Sequence, residues 1–299
     1  MRKLIVLMLI LQVVSCSPSK EGAANETNQV GQETAVQEVV EEKEETPVSN
    51  WSYTAELLEP TGYFPQFSTE GKILLYTDQK YEGLWMLDLT TNEVTQLTDQ
   101  RGAGYLPVIS GDKVTYQVKG KTKRLEQIDM KTKEVTKVAS EFARFSPQEY
   151  HKSLSGETSV SLAKDLSGIM VSGEEQPVKP QGEGNYLYAV LSPDGKKILT
   201  KSAGNVTVIC DLKGNIMHEL ADVHADIWIN NQTVLYAKTT DDGMQQLSAE
   251  IGVLDIQNNK MTPVGSDLDV ALENPNFDTA TLQITANTPE GQMYIFKPE

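Results

Sequence analysis

Three histidines, two cysteines and no Gly-x-Ser-x-Gly leave little material for a catalytic apparatus in this chain of 299 residues. A serine-hydrolase module presents its nucleophile on that glycine-flanked turn. Neither His-Glu-x-x-His nor a paired-cysteine spacing occurs, which excludes the common zinc frameworks. Gly120-Lys121-Thr122 has the ending of a phosphate-binding loop, but Thr115 stands where that loop needs glycine, so the tripeptide reads as a polar hairpin tip. The one grouping of ligand types is His218, Asp222, His224 and Asp226. Of these only His224 and Asp226 fall in an expected loop; His218 falls within a strand, and His151 lies far away in sequence. Asp88, Asp129, Asp211 and Asp255 each end an apolar run. They stand in separate repeats, so they read as caps on the tight turns that follow, accepting backbone N–H groups, rather than as a calcium site. Cys210, among Val208, Ile209 and Leu212, reads as a buried, inert thiol. No metal and no cofactor is expected.

The other cysteine has a different setting. Met1-Arg2-Lys3 precedes an apolar run from Leu4 to Val14 that only Gln12 interrupts, the pattern of a secretory signal and short for a spanning helix. Val13-Val14-Ser15-Cys16 then resembles the bacterial lipobox. The resemblance implies removal of residues 1–15 and lipidation of the Cys16 thiol, with several acyl chains anchoring more firmly than one. Ser17 stands where aspartate would signal inner-membrane retention, which points to an outer membrane if the cell has one. Residues 16–50 read as an acidic tether: from residue 17 onward they hold eight glutamates against two lysines and no aromatic residue. Such a segment buries too little apolar surface to offset its ordering entropy.

The composition bounds the rest. The chain is 39% hydrophobic and 23% charged, a globular mixture, and its formal charge of −16 repels phosphate backbones, so no nucleic-acid partner is expected. From Trp51 onward, aromatic and β-branched residues alternate with polar ones in short runs broken by turn residues. Repeats centre on Phe67, Ile109, Phe145, Leu191, Ile229 and Phe277, with spacings of 36 to 48 residues. Periods near 40 residues with four short strands each are those of propeller blades. The expectation is therefore an all-β, six-bladed β-propeller of four-stranded antiparallel blades over residues 51–299. The third blade is degenerate, with strands near Val160 and Ile169. The sixth runs out after Phe296 without a fourth strand, and Trp51–Leu58 has no other sheet to join. Supplying that strand would close the ring and cover an open edge.

The Leu191-Ser192-Pro193-Asp194-Gly195 turn and the Asp88-Leu89-Thr90 to Leu97-Thr98 segment resemble the TolB-like propellers, over about 250 residues, although only the fourth repeat keeps Ser-Pro-Asp-Gly intact. The resemblance implies a six-bladed scaffold whose channel mouth receives an extended partner. Some TolB-like propellers are instead metal-dependent oligogalacturonate lyases with several histidines over the channel, a pattern that three scattered histidines do not make. In a propeller, the connections from fourth to first strand and from second to third gather on one face, and surface loops on a rigid scaffold are where binding usually resides. Here they supply Tyr63, Arg101, Tyr105, Arg144, Tyr186, His224 and Asp226 as candidate partner contacts, while Trp228 reads as core. The expected protein is a monomeric, non-enzymatic lipoprotein of the cell envelope that binds an envelope protein or peptide, held to the membrane through Cys16. The alternative is a carbohydrate-binding or carbohydrate-degrading propeller using the same face.

Overall fold

The computed structural model describes residues 51–299 apart from 69, 106, 122, 141–157, 205 and 242–245. The chain divides into units 1–46 and 47–299, and every described residue belongs to the second. Cys16, the tether, Arg144 and His151 thus lie outside the described residues. Among the described residues the regular structure is entirely β, with no helix.

The first blade is β2 to β5 (Tyr63–Phe67, Ile73–Thr77, Glu82–Asp88, Val94–Arg101), and the second is β6 to β9 (Val108–Ser110, Lys113–Val118, Arg124–Asp129, Val135–Ser140). Among the described residues the third repeat holds β10 (Val160–Leu162) and β11 (Ile169–Val171). The fourth is β12 to β15 (Tyr186–Leu191, Lys197–Ser202, Val206–Asp211, Ile216–Ala221), and the fifth is β16 to β19 (Val223–Asn230, Thr233–Asp241, Gln246–Asp255, Lys260–Val264). The sixth combines β20 to β22 (Glu273–Phe277, Ile284–Asn287, Gln292–Pro298) with β1 (Tyr53–Thr61). Neighbours pair antiparallel in sequence order in every blade but the last, where the order is β1-β22-β21-β20.

Burial on both faces explains the apolar runs. Successive side chains of a strand point to opposite faces, and here each face meets a different neighbour. On β13, Ile198 packs with Val160 and Ile169 of the third repeat, while Leu199 packs with Trp228 and Val234 of the fifth. On β3, Leu74 meets Met293 and Ile295 of the sixth blade, and Leu75 meets Val114 and Ile128 of the second. Ile229 and Leu235 join Phe277 and Phe296 between the fifth and sixth. All five cores lie between neighbouring sheets, which defines a propeller.

Five four-stranded blades correct the expected six. Among the described residues of the third repeat, β11 gains one further bridge, Ile169 to Val178. Val178 lies between Pro177 and Pro180, and proline cannot donate to a ladder, so pairing stops there.

The expected latch forms. β1 pairs antiparallel with β22 from Tyr53–Pro298 to Leu57–Tyr294, with a shift before Thr61–Gln292. Ser52 Oγ and Thr54 Oγ1 donate to the Glu299 carboxylate at 2.6 and 3.1 Å, and Lys297 pairs with Glu56. Trp51, Tyr53 and Ala55 pack onto the core shared by the fifth and sixth blades.

Candidate functional site

The inner strands deviate from regular pairing near their N-terminal ends, on the face where the blade-to-blade connections arrive. Register shifts fall between Tyr63 and Gln66, Tyr186 and Tyr188, His224 and Ile227, and Glu273 and Asn276. A bulge re-aims the side chains it carries. In the first blade it places Phe64 at φ +54°, and in the sixth it places Asn274 at φ +51°. Both precede proline, Pro65 and Pro275. Asparagine tolerates this left-handed conformation, whereas a bulky ring there carries strain of about 1–3 kcal/mol.

The Phe64 ring stacks on Tyr81 with centroids 4.6 Å apart, and Tyr81 is itself left-handed at φ +61°. Tyr105 meets Tyr81 edge-on at 5.2 Å, and Lys119 Nζ lies 5.1 Å from the Tyr105 ring centroid. These residues come from β2, the β3–β4 turn, the β5–β6 connection and the β7–β8 turn, so the ladder spans the first two blades. The three rings are half-buried and Lys119 is exposed. Burial, with the adjacent Tyr105, raises the Tyr81 phenol above its ordinary pKa. Backbone bonds hold the loops: Lys119 N–H donates to Arg101 O at 2.7 Å, and Tyr105 N–H to Gly102 O at 3.1 Å. Gly102 sits at φ +82°, and a Cβ there would stand 2.7 Å from Lys119 Cγ, so only glycine lets the lysine stem lie where it does. Arg101 is exposed and faces Glu82 at 3.6 Å.

The anticipated contacts therefore separate. Tyr105 belongs to this ladder, and Arg101 adjoins it through its backbone carbonyl, which accepts from Lys119 N–H. Tyr63 stands beside it, half-buried, its hydroxyl donating to Pro289 O at 3.2 Å. Tyr186 is a correction: it is fully buried, its hydroxyl accepting from Gln181 N–H at 2.9 Å and donating to Gly182 O at 3.1 Å, so a partner meets none of it. The bulge instead exposes its neighbour Leu187. His224 and Asp226 are both exposed at the start of β16, with Nε2 and Oδ2 3.5 Å apart and the imidazole edge-on to Tyr188. Among the described residues no three His, Cys, Asp or Glu side chains converge in a metal-binding arrangement. Trp228 is buried, donating from Nε1 to Val190 O at 3.2 Å. Cys210 is fully buried, and desolvation pushes its thiol up to about 12.

Tyr81 and Lys119 were not among the anticipated contacts. A signal for the lysine is present in Lys119-Gly120-Lys121-Thr122-Lys123-Arg124, four cations in six residues without an acid, in an acidic chain. Tyr81 has no comparable signal, because its neighbours in the ladder are 17 and 24 residues away in sequence.

No protein-family model and no curated protein matches this chain. Among solved structures it is similar to the Swd1 β-propeller domain of Myceliophteria thermophila, at 9% identity and a TM-score of 0.44, over 82% of this chain and 100% of that one. It is also similar to an oligogalacturonate lyase in complex with manganese, at 14% identity and a TM-score of 0.42, over 81% and 78% of the two chains. An oligogalacturonate lyase from Vibrio parahaemolyticus stands at 15% identity and a TM-score of 0.43, over 80% and 78%. The propeller assignment itself rests on the sheet order and the cores shared between blades.

Proposed function

We propose that the chain is a lipoprotein held at the cell envelope through Cys16, whose propeller binds an extended protein or peptide at the mouth of the ring without catalysing a reaction. One observation carries the binding reading: the half-buried ladder Phe64–Tyr81–Tyr105, capped by Lys119, set on β2 and three connections of the two adjoining blades. Tyrosine, tryptophan and arginine dominate binding hot spots, and a rigid scaffold limits the entropy lost when a partner docks. The motifs shared with TolB-like propellers support a protein-binding scaffold of monomeric rings. The lipobox-like Val13-Val14-Ser15-Cys16 supports the anchor, and Ser17 supports the outer membrane as its address.

The stacked pair Phe64–Tyr81 also favours a second reading, in which the ladder takes the face of a sugar ring. Capture from detergent-solubilised envelopes, comparing the wild type with Arg101→Glu/Tyr105→Ala, separates the two. The expected outcome is a protein retained by the wild type and lost from the folded double variant. Retention of polysaccharide in its place supports the second reading, and undiminished protein capture by the double variant moves the site off this face.

A further inference from the structure

The side of the mouth formed by the first two blades concentrates cations. Arg101, Lys119, Lys121, Lys123 and Arg124 all lie on the β5–β6 and β7–β8 connections or at their ends. Two of the five are already engaged: Arg101 faces Glu82 at 3.6 Å, and Arg124 Nε donates to Glu126 at 2.6 Å. Among the described residues, Lys119, Lys121 and Lys123 pair with no carboxylate, and all three are exposed. The setting makes this unusual. With the +2 of Arg2 and Lys3 and the −6 of the tether set aside from the total of −16, residues 51–299 carry −12. Acidic side chains are plentiful, yet among the described residues none is set against these lysines, which repel one another at the tip of one hairpin.

The lysines adjoin the aromatic ladder, with Lys119 belonging to both. The left-handed bend under Phe64 recurs in the sixth blade under Asn274, where no ring stands. The distinctive contact of Phe64 is the stack on Tyr81.

Resting on the binding reading above, we propose that this side of the mouth recognises an acidic peptide segment of a partner protein, in which glutamate or aspartate side chains meet Lys119, Lys121 and Lys123 and an aromatic side chain lies against the Tyr81–Tyr105 pair. Lys119, Lys121 and Lys123 share one hairpin. A long uniform polyanion, such as a polyuronate or a nucleic acid, would have to run on beyond that hairpin across a domain of net charge −12, which repels it. A short segment with a few carboxylates meets only the lysines.

The test uses the full-length protein in detergent micelles and three probes: a glutamate–tyrosine copolymer of short chain length, a lysine–tyrosine copolymer and polygalacturonate. The wild type is expected to retain the glutamate–tyrosine probe and neither of the others, with affinity falling as salt rises from about 0.05 to 0.5 M. Lys119→Glu/Lys121→Glu/Lys123→Glu, with an unchanged melting temperature, is expected to weaken that binding by about tenfold or more, each reversed charge turning attraction into repulsion. Lys213→Glu/Lys260→Glu, at turns of the fourth and fifth blades, matches the kind of charge change and is expected to leave binding as it was. Equal binding by the triple variant overturns the proposal, as does retention of polygalacturonate in place of the copolymer. Failure of the wild type to hold the glutamate–tyrosine probe overturns it too. In each case the capture comparison at Arg101 and Tyr105 still decides the general binding reading.

Discussion

At the scale of single residues, the repeated aspartates show how one side chain closes a turn. Asp88 Oδ1 accepts from Thr90 and Thr91 N–H at 2.8 and 3.0 Å, and Asp129 Oδ1 accepts from Lys131 and Thr132 at 2.9 and 2.8 Å. Asp211 does the same with Lys213 and Asn215, both at 2.9 Å, and Asp255 with Gln257 and Asn258 at 2.9 and 3.1 Å. Hydrogen bonds to the charged form favour it. The Thr90 N–H holds Asp88 below the ordinary carboxylate range, Thr132 N–H does so for Asp129, and the Asn215 side chain leads for Asp211. A folded-state pKa below the unfolded value near 3.9 contributes stability that is present above that value and lost as pH falls through the folded one. The melting temperature is therefore expected to hold steady near neutrality and to fall below about pH 4. Asp88→Ala/Asp129→Ala, less stable at neutral pH, is expected to show a shallower acid decline. An identical decline in wild type and variant would show that these caps do not carry it.

The blade is the element that turns side-chain alternation into a ring. Adjacent residues such as Leu74 and Leu75 serve different cores, so each strand needs apolar residues on both faces, and a run such as Ile73-Leu74-Leu75-Tyr76 results. Turn chemistry varies within a constant shape. Ser192 N–H donates to Lys197 O at 2.8 Å, Ser68 N–H to Ile73 O and Asp278 N–H to Gln283 O at 2.8 and 2.9 Å, although only the fourth blade reads Ser-Pro-Asp-Gly. The sixth blade depends on β1, and without it the outer edge of β22 is left open and Tyr53 no longer packs on the neighbouring core. Removing residues 17–48 is expected to leave the melting temperature unchanged, and extending the deletion through Leu58 to lower it by several degrees or more. Equal melting curves for the two truncated proteins would deny β1 its structural part.

For the whole molecule, charge and address act together. An acidic domain following an acidic segment resists settling onto an anionic lipid surface, so the proposed attachment rests on lipidation of Cys16. Labelled palmitate is expected to be incorporated into the wild type and not into Cys16→Ser, with the variant recovered in the soluble fraction. Absence of label from the wild type would remove the anchor from the proposed function while leaving the propeller and its mouth unaffected.

Local signals determined a large part of this protein. The period near 40 residues, the aspartate-ended strands, the burial of Cys210 and Trp228 and the closing role of Trp51–Leu58 were all legible, because alternation and turn chemistry act between residues close in sequence. So was the weakness of the third repeat, though not the single bridge Ile169–Val178 beyond β11, where prolines stand on both sides of Val178. Tertiary structure alone decided which face residues share. It buried Tyr186 and exposed Leu187 through a one-residue bulge, a shift that composition does not record. It also joined Phe64, Tyr81, Tyr105 and Lys119, drawn from one strand and three connections, into one ladder. That assembly depends on how two blades pack, and packing between distant segments leaves no periodic trace in a single sequence.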